Sequence, residues 1–393
     1  MTEKSRGIFV CPHDRGASLR GPSLTVIRTS LRVKIPTMSS NQQIPIAEPL
    51  VEVRRGAITE SRHRGHIAVV KPDAQILFYL GAPENVTFLR SSAKPFQAIP
   101  LLTSGAADHF GFTDEEVALA CGSHNGEPIH THLASQMLKK IGLSVAALKC
   151  GAHEPYSQKA AADLKARGEL PTALHNNCSG KHVGMLAVAK HMGAAVETYD
   201  SPENPVQLAI ARVVEQFSGI AMEDLAVAVD GCGAPIFGIT MKAMALTFAR
   251  LVSPPKDFDQ ATKDACARIV KVMTAYPELI GGTHDRLDTE IMKASPGKIV
   301  SKVGAEGVYT AGIVPCDEWP EGVGLALKIE DGDDHRARPT VVIEVLRQLG
   351  VLRDESLESV ARYAFFPVKN RRGDLVGEIR ANFALREPMS DTL

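Results

Sequence analysis

The sequence predicts a mixed α/β (α+β) fold, a mainly antiparallel sheet flanked by helices with a helical subdomain inserted between its strands. Strand-like runs cluster at both ends of the body of the chain, and clear helical periodicity fills the middle. No G-x-G-x-x-G follows a strand and no G-x-x-x-x-G-K-[ST] occurs, so neither regular βαβ alternation nor nucleotide binding has motif support.

Taken in order, "HIAVVK" (66–71) and "ILFYL" (76–80) flank "PDAQ" and read as a strand hairpin. "AKPFQAIPLLTSG" (93–105) reads as a short helix ended by Gly105, with Pro95 in the first turn and Pro100 as a kink or stop. "TDEEVALAC" (113–121) opens with a threonine cap and first-turn acids before an apolar face. Helical spacing recurs at 181–192, 202–219, 240–252, 258–275 and 337–350. "LAVAV" (225–229), "KIVSKVG" (298–304), "GVYTAGIV" (307–314) and "VGLALKI" (323–329) are strands, and "KIEDGDD" (328–334) reads as a solvated hairpin turn.

Composition narrows the function. The chain has 393 residues, 44% hydrophobic, with 44 Lys+Arg against 45 Asp+Glu. That length supports a large buried core. The near balance of charge gives no overall attraction for nucleic acid or an anionic membrane, which leaves a small molecule as the expected partner. No apolar run reaches the roughly 18–20 residues of a membrane span. Seven scattered cysteines without a C-x-x-C pair point to thiols in a reducing compartment, here the cytoplasm. Residues 1–45 differ from the body (46–393), with seven Lys/Arg and two acids up to Met38. A mitochondrial transit peptide, a disordered tail and a true start near Met38 are the readings open for them.

Three fragments carry chemistry. In "LRSSAKPFQAIP" (89–100), Ser91 and Lys94 stand three apart at a helix start, so a hydroxyl and an amine share one face. A desolvated lysine can be neutral and accept the serine proton. The same spacing recurs at Ser253…Lys256 and Ser295…Lys298, but there prolines or a glycine make turns. Ser123-His124-Asn125 has the S-x-N form and Lys302-Val303-Gly304 the K-x-G form, in the order found in serine acyltransferases. The blander reading has Ser91 or Ser92 capping a helix and Ser123 satisfying a turn. In a second constellation, "HNNCSGKHVGML" (175–186) and "VDGCGAP" (229–235), spacing offers Cys178, His182 and Cys232 as a zinc set, with His175 competing. Asp230, at a strand end among glycines, is placed to hold a substrate ammonium.

The fragments "RSSAKPFQA", "CGSHNGE", "NNCSGKHVGML", "DGCG", "AYPELIGG", "SKVGAEGVY" and "LKIEDGD" resemble, in order, the rhizobial-type L-asparaginase (L-asparaginase II) family. The resemblance implies a fold similar to serine β-lactamases and glutaminases, hydrolysis of the side-chain amide of L-asparagine, and a homodimer. It implies two Ser–Lys pairs, Ser91 with Lys94 and Ser123 with Lys302, and a zinc ion on Cys178, Lys181 and Cys232, with His182 a neighbour. It also implies that Asp230 holds the α-amino group and that Arg90 and Asn177 line the site. A glutaminase would share this machinery. A β-lactam-hydrolysing enzyme would need the Ser–Lys pairs without Asp230 and the Cys–Lys–Cys set. A non-catalytic zinc module would tolerate loss of Ser91, Ser123 and Lys302.

Overall fold

The computed structural model describes residues 45–388. The segment expected to be a tail or targeting sequence lies outside the described residues, apart from Pro45. An eight-stranded, wholly antiparallel sheet runs in the order β10-β11-β1-β2-β9-β8-β7, with β3 added to β2. Its strands are β1 (Glu48–Arg55), β2 (Ile58–Val70), β3 (Ile76–Leu80), β7 (Ile299–Val303), β8 (Val308–Ile313), β9 (Val323–Ile329), β10 (Phe365–Lys369) and β11 (Leu375–Ala381). The sheet is therefore drawn from both ends of the body, as expected. Strands β7, β8 and β9 are buried along nearly their whole length, which requires cover on both faces. Helices Met241–Val252 and Ala337–Gln348 pack against them. Gly324 is needed for the first of these contacts, because a Cβ there would fall 1.8 Å from the Ala245 carbonyl oxygen.

Between β3 and β7 lies the helical insertion. Helix Ser179–His191 is buried on almost every side and runs through its centre, packed by helices Lys94–Thr103, Asp114–Cys121 and Pro128–Lys140. Helix Asp114–Cys121 has the expected cap: Thr113 N donates to Glu116 Oε2 (2.7 Å) and Glu116 N to Thr113 Oγ1 (3.4 Å). Helix Lys94–Thr103 accommodates Pro95 in its first turn and Pro100 inside it. Phe96 anchors this helix edge-on against Phe248 and tilted on Phe217, with centroids 5.2 and 5.3 Å away.

The insertion also carries a small sheet that the sequence did not announce. Its order is β4-β6-β5, from β4 (Val86–Phe88), β5 (Ala226–Val229) and β6 (Pro235–Thr240). "KIEDGDD" does not form the expected hairpin turn. The chain leaves β9 for helix Ala337–Gln348, and Asp333 Oδ1 accepts from the backbone N–H groups of His335, Arg336 and Ala337. Those unpaired helix-start donors explain the acid better than solvation does. No helix among the described residues is long and apolar enough to cross a membrane.

Candidate active site

Ser91 lies where β4 ends against the small sheet, on a 3-10 turn (Arg90–Ala93) that leads into helix Lys94–Thr103. The turn is forced by Arg90, whose φ of 51° puts a bulky residue in the left-handed region. Neither serine caps the helix. Ser92 is buried and donates to Leu89 O at 2.5 Å, while Ser91 stays accessible. One turn on, Lys94 is 1% exposed, and its Nζ donates to Gly122 O (2.7 Å) and Asn177 O (3.0 Å). Burial holds this ammonium below its ordinary value, although Cys178 and Cys232 nearby pull the other way. A neutral amine has two N–H donors and one lone pair. The two carbonyls match the two donors of the neutral form, and Cys178 lies within hydrogen-bonding reach of the same nitrogen.

Helix Asp114–Cys121 ends at Gly122, and the following loop is held rigidly. Ser123 N donates to Ile280 O (2.7 Å), and His124 accepts from Gly126 N (3.1 Å) and faces Ser179 Oγ (3.0 Å). The Ser123 hydroxyl itself is buried and has no hydrogen-bond partner among the described residues. On β7, the fully buried Lys302 donates to Val303 O (2.9 Å) and lies 3.7 Å from Asp288 Oδ2. Burial pushes Lys302 down to about 7, with Asp288 opposing and Lys94 and Arg286 adding to the fall. Lys94 and Lys302 flank Cys121, both pulling its thiol down against the burial that pushes it up to about 12. Among the described residues, neither Ser–Lys pair is joined by a hydrogen bond.

Beside Lys94 is a buried thiol cluster. Lys181 Nζ donates to Cys232 Sγ at 3.0 Å. A hydrogen bond from Cys232, with Lys94 and Lys181 nearby, holds the Cys178 thiol well below its ordinary value, while the same bond raises Cys232. His182 borders this set: its Nδ1 meets Tyr199 OH at 2.6 Å, and burial pushes it down to about 4 against the pull of Cys232. His175 is engaged with Thr172 instead. Two sulfurs and an amine converging on one buried point fit the tetrahedral, borderline-soft preference of zinc, with a fourth position left over. Among the described residues no three His, Cys, Asp or Glu side chains gather as a metal site.

Asp230, in the turn between β5 and β6, accepts from Arg90 Nε at 3.0 Å and from Gly231 N at 2.9 Å. Asn177 N donates to His153 Nε2 at 3.0 Å. Ser91, Ser123 and Asn177 line one cavity of about 860 Å³, with Lys94 and Lys302 outside its lining. Arg90, Asp230, Cys178, Lys181 and Cys232 are likewise absent from that lining. The cavity adds residues that the sequence reading did not assign to it: Glu127, Tyr156, Arg286, Asp334 and Arg338, together with Asn125, noticed only as part of a motif. They come from four separate loops and helix starts, and no local pattern marks them.

Residues 51–381 match the family model described as L-asparaginase II. Similar solved structures include a probable glutaminase from Bacillus subtilis complexed with 6-diazo-5-oxo-L-norleucine. It is 13% identical over 73% of this chain and 84% of that one, with a TM-score of 0.33. A β-lactamase from Mycobacterium bovis is 16% identical over 72% and 94%, with a TM-score of 0.37. No curated protein matches the chain.

Proposed function

The chain belongs to the L-asparaginase II family and is an amidohydrolase, and on that premise we propose that it hydrolyses L-asparagine to L-aspartate and ammonia through an ester on Ser91. The observation that carries this reading is the buried Lys94, one turn from the accessible Ser91, with its Nζ held by two carbonyls and kept below its ordinary value by burial.

Ser91 Oγ attacks the side-chain carboxamide carbon, and its proton passes to Lys94 Nζ. The proton returns through Ser123, with Lys302 behind it, to the departing nitrogen; the C–N bond breaks and ammonia leaves. A β-aspartyl ester remains. Water attacks it, the displaced Ser91 oxygen regains a proton by the same groups, and aspartate is released. The unpartnered Ser123 hydroxyl supports this role, since a buried hydroxyl without a partner is in want of one. Asp230 holds the substrate ammonium, Arg90 braces Asp230, and Asn177 borders the substrate. Zinc held by Cys178, Lys181 and Cys232 would supply a Lewis-acidic contact that orients the substrate. A homodimer in the cytoplasm completes the reading, and light scattering checks the first of these.

The test is ammonia release from L-asparagine and L-glutamine in parallel, by the wild type and Ser91→Ala, after dialysis with and without zinc. Release from asparagine, lost by about 1,000-fold or more in Ser91→Ala, is expected. Near-normal activity in Ser91→Ala would overturn the nucleophile. No release from either amide would overturn the substrate.

A further inference from the structure

Two arginines line the cavity, and they differ in one respect. Arg338 is neutralised: it bonds to Asp334 and donates to Gly304 O at 2.7 Å. Arg286 is packed round by protein yet keeps part of its surface on the cavity. Its hydrogen bond goes from Nη1 to Asn125 Oδ1, at 2.7 Å, and no carboxylate among the described residues lies within 4.0 Å of it. The acids that act on it electrostatically, Asp288 and Glu127, are engaged elsewhere. Asp288 accepts from Ser301 Oγ and faces Lys302, and Glu127 accepts from Thr283 N and Asn125 Nδ2.

A guanidinium has five N–H donors, and most of those on Arg286 remain for a ligand. Asn125 fixes its aim. The Asn125 amide is held on its far side by Glu127 Oε1 and His284 O, both at 3.3 Å, and is backed by Gly282, where a Cβ would fall 2.3 Å from Asn125 Nδ2. An unneutralised, oriented guanidinium on a cavity wall suits a planar anion bound by two parallel hydrogen bonds. Tyr156, which also lines the cavity, feels the charges of both Arg286 and Asp230. Arg286 thus offers a counter-charge for the carboxylate end of a free amino acid on the cavity lining, while Asp230 lies outside that lining.

We propose that Arg286, oriented by Asn125, is the carboxylate anchor of this cavity, so that the enzyme takes amides of free α-amino acids and rejects the same amides once the α-carboxylate is esterified or in a peptide bond. This deepens the amide-hydrolysis reading of the site and rests on it. A buried cation left without its anion disfavours the neutral analogue, just as the anion favours the acid.

The experiment measures kcat/KM for L-asparagine and for its α-methyl ester, with the wild type, Arg286→Gln and Arg286→Lys, each checked for fold by circular dichroism. The wild type is expected to prefer the free acid by about 100-fold or more. The ratio should fall to near one in Arg286→Gln and recover in part in Arg286→Lys. A preference that survives in Arg286→Gln, or an equal loss on both substrates, overturns the anchor. Calorimetric titration with succinate separates this idea from the reaction itself. If neither substrate yields ammonia but succinate binds the wild type and not Arg286→Gln, the amide reading fails and the anchor stands. Succinate binding to both proteins alike, or to neither, overturns the anchor.

Discussion

Replacing Asp288 with asparagine should move the acid limb of the pH–rate profile downward. Asp288 and Lys302 are both fully buried, with Oδ2 and Nζ 3.7 Å apart. At an effective dielectric constant near 20, two unit charges at that distance attract by about 4.5 kcal/mol, and opposite charges this close change a pKa by about 1–3 units. The groups facing Lys302 are Asp288 and Cys178, which raise it, and Lys94 and Arg286, which lower it. The amide of Asp288→Asn would keep the acceptor for Ser301 Oγ and lose only the charge. Lys302, already pushed down to about 7, would then hold its proton less well and stay neutral to lower pH. With kcat/KM for ammonia release measured across the acid range, the wild-type limb should lie near 7 and the Asp288→Asn limb about one or more pH units below it. An unmoved limb, or one displaced upward, would refute the idea that the rate requires neutral Lys302.

Other outcomes follow from the same geometry. Cys232→Ala, measured by atomic absorption after zinc loading, should lose most of its bound metal; undiminished zinc would remove Cys232 from the ligand set. Phe96→Ala empties a site packed against Phe217 and Phe248 and should cost about 3–5 kcal/mol in urea unfolding. A loss below about 1 kcal/mol would mean that the helix bearing Lys94 is anchored by something else. Gly282→Ala combines a φ of 156° with a Cβ 2.3 Å from Asn125 Nδ2. It should displace Asn125 and Arg286 and raise KM for asparagine by about 10-fold or more, where one lost charged hydrogen bond is worth about 1.5–3 kcal/mol; an unchanged KM would count against the coupling.

What the sequence disclosed, and what it hid, follows from how local the signals are. Helix Asp114–Cys121 and the entry to Lys94–Thr103 were readable because a cap and a proline act within a few residues of themselves. Strands β8 and β9 were readable because burial on both faces leaves an unbroken apolar run. Strand β1 was not: in "EPLVEVRR" Pro49 and the adjacent pairs Leu50-Val51 and Arg54-Arg55 break the alternation, and while its partner β2 is adjacent, its other partner β11 lies at the far end of the chain. The three-residue β4 is too short for any period. Ser91, Lys94, Ser123 and Lys302 stood in recognisable fragments, but nothing near "THDRLD" (283–288) marks Arg286 as unpaired, because that property is the absence of a tertiary neighbour. The acids of "KIEDGDD" misled for a related reason, since Asp333 and Asp334 take partners that a turn-based reading ignores.

The adjacency of β2 and β9 has a consequence for biosynthesis. Val70 pairs with Gly324, so the central seam of the sheet closes between segments about 250 residues apart. At a ribosome adding roughly 5–20 residues each second, the first strand waits on the order of 13–50 s for its neighbour to be made. During that wait its β9-facing edge is open to any other extended chain nearby. The serine turn emerges early and β7 late, so chaperone demand should be greatest in the interval between them.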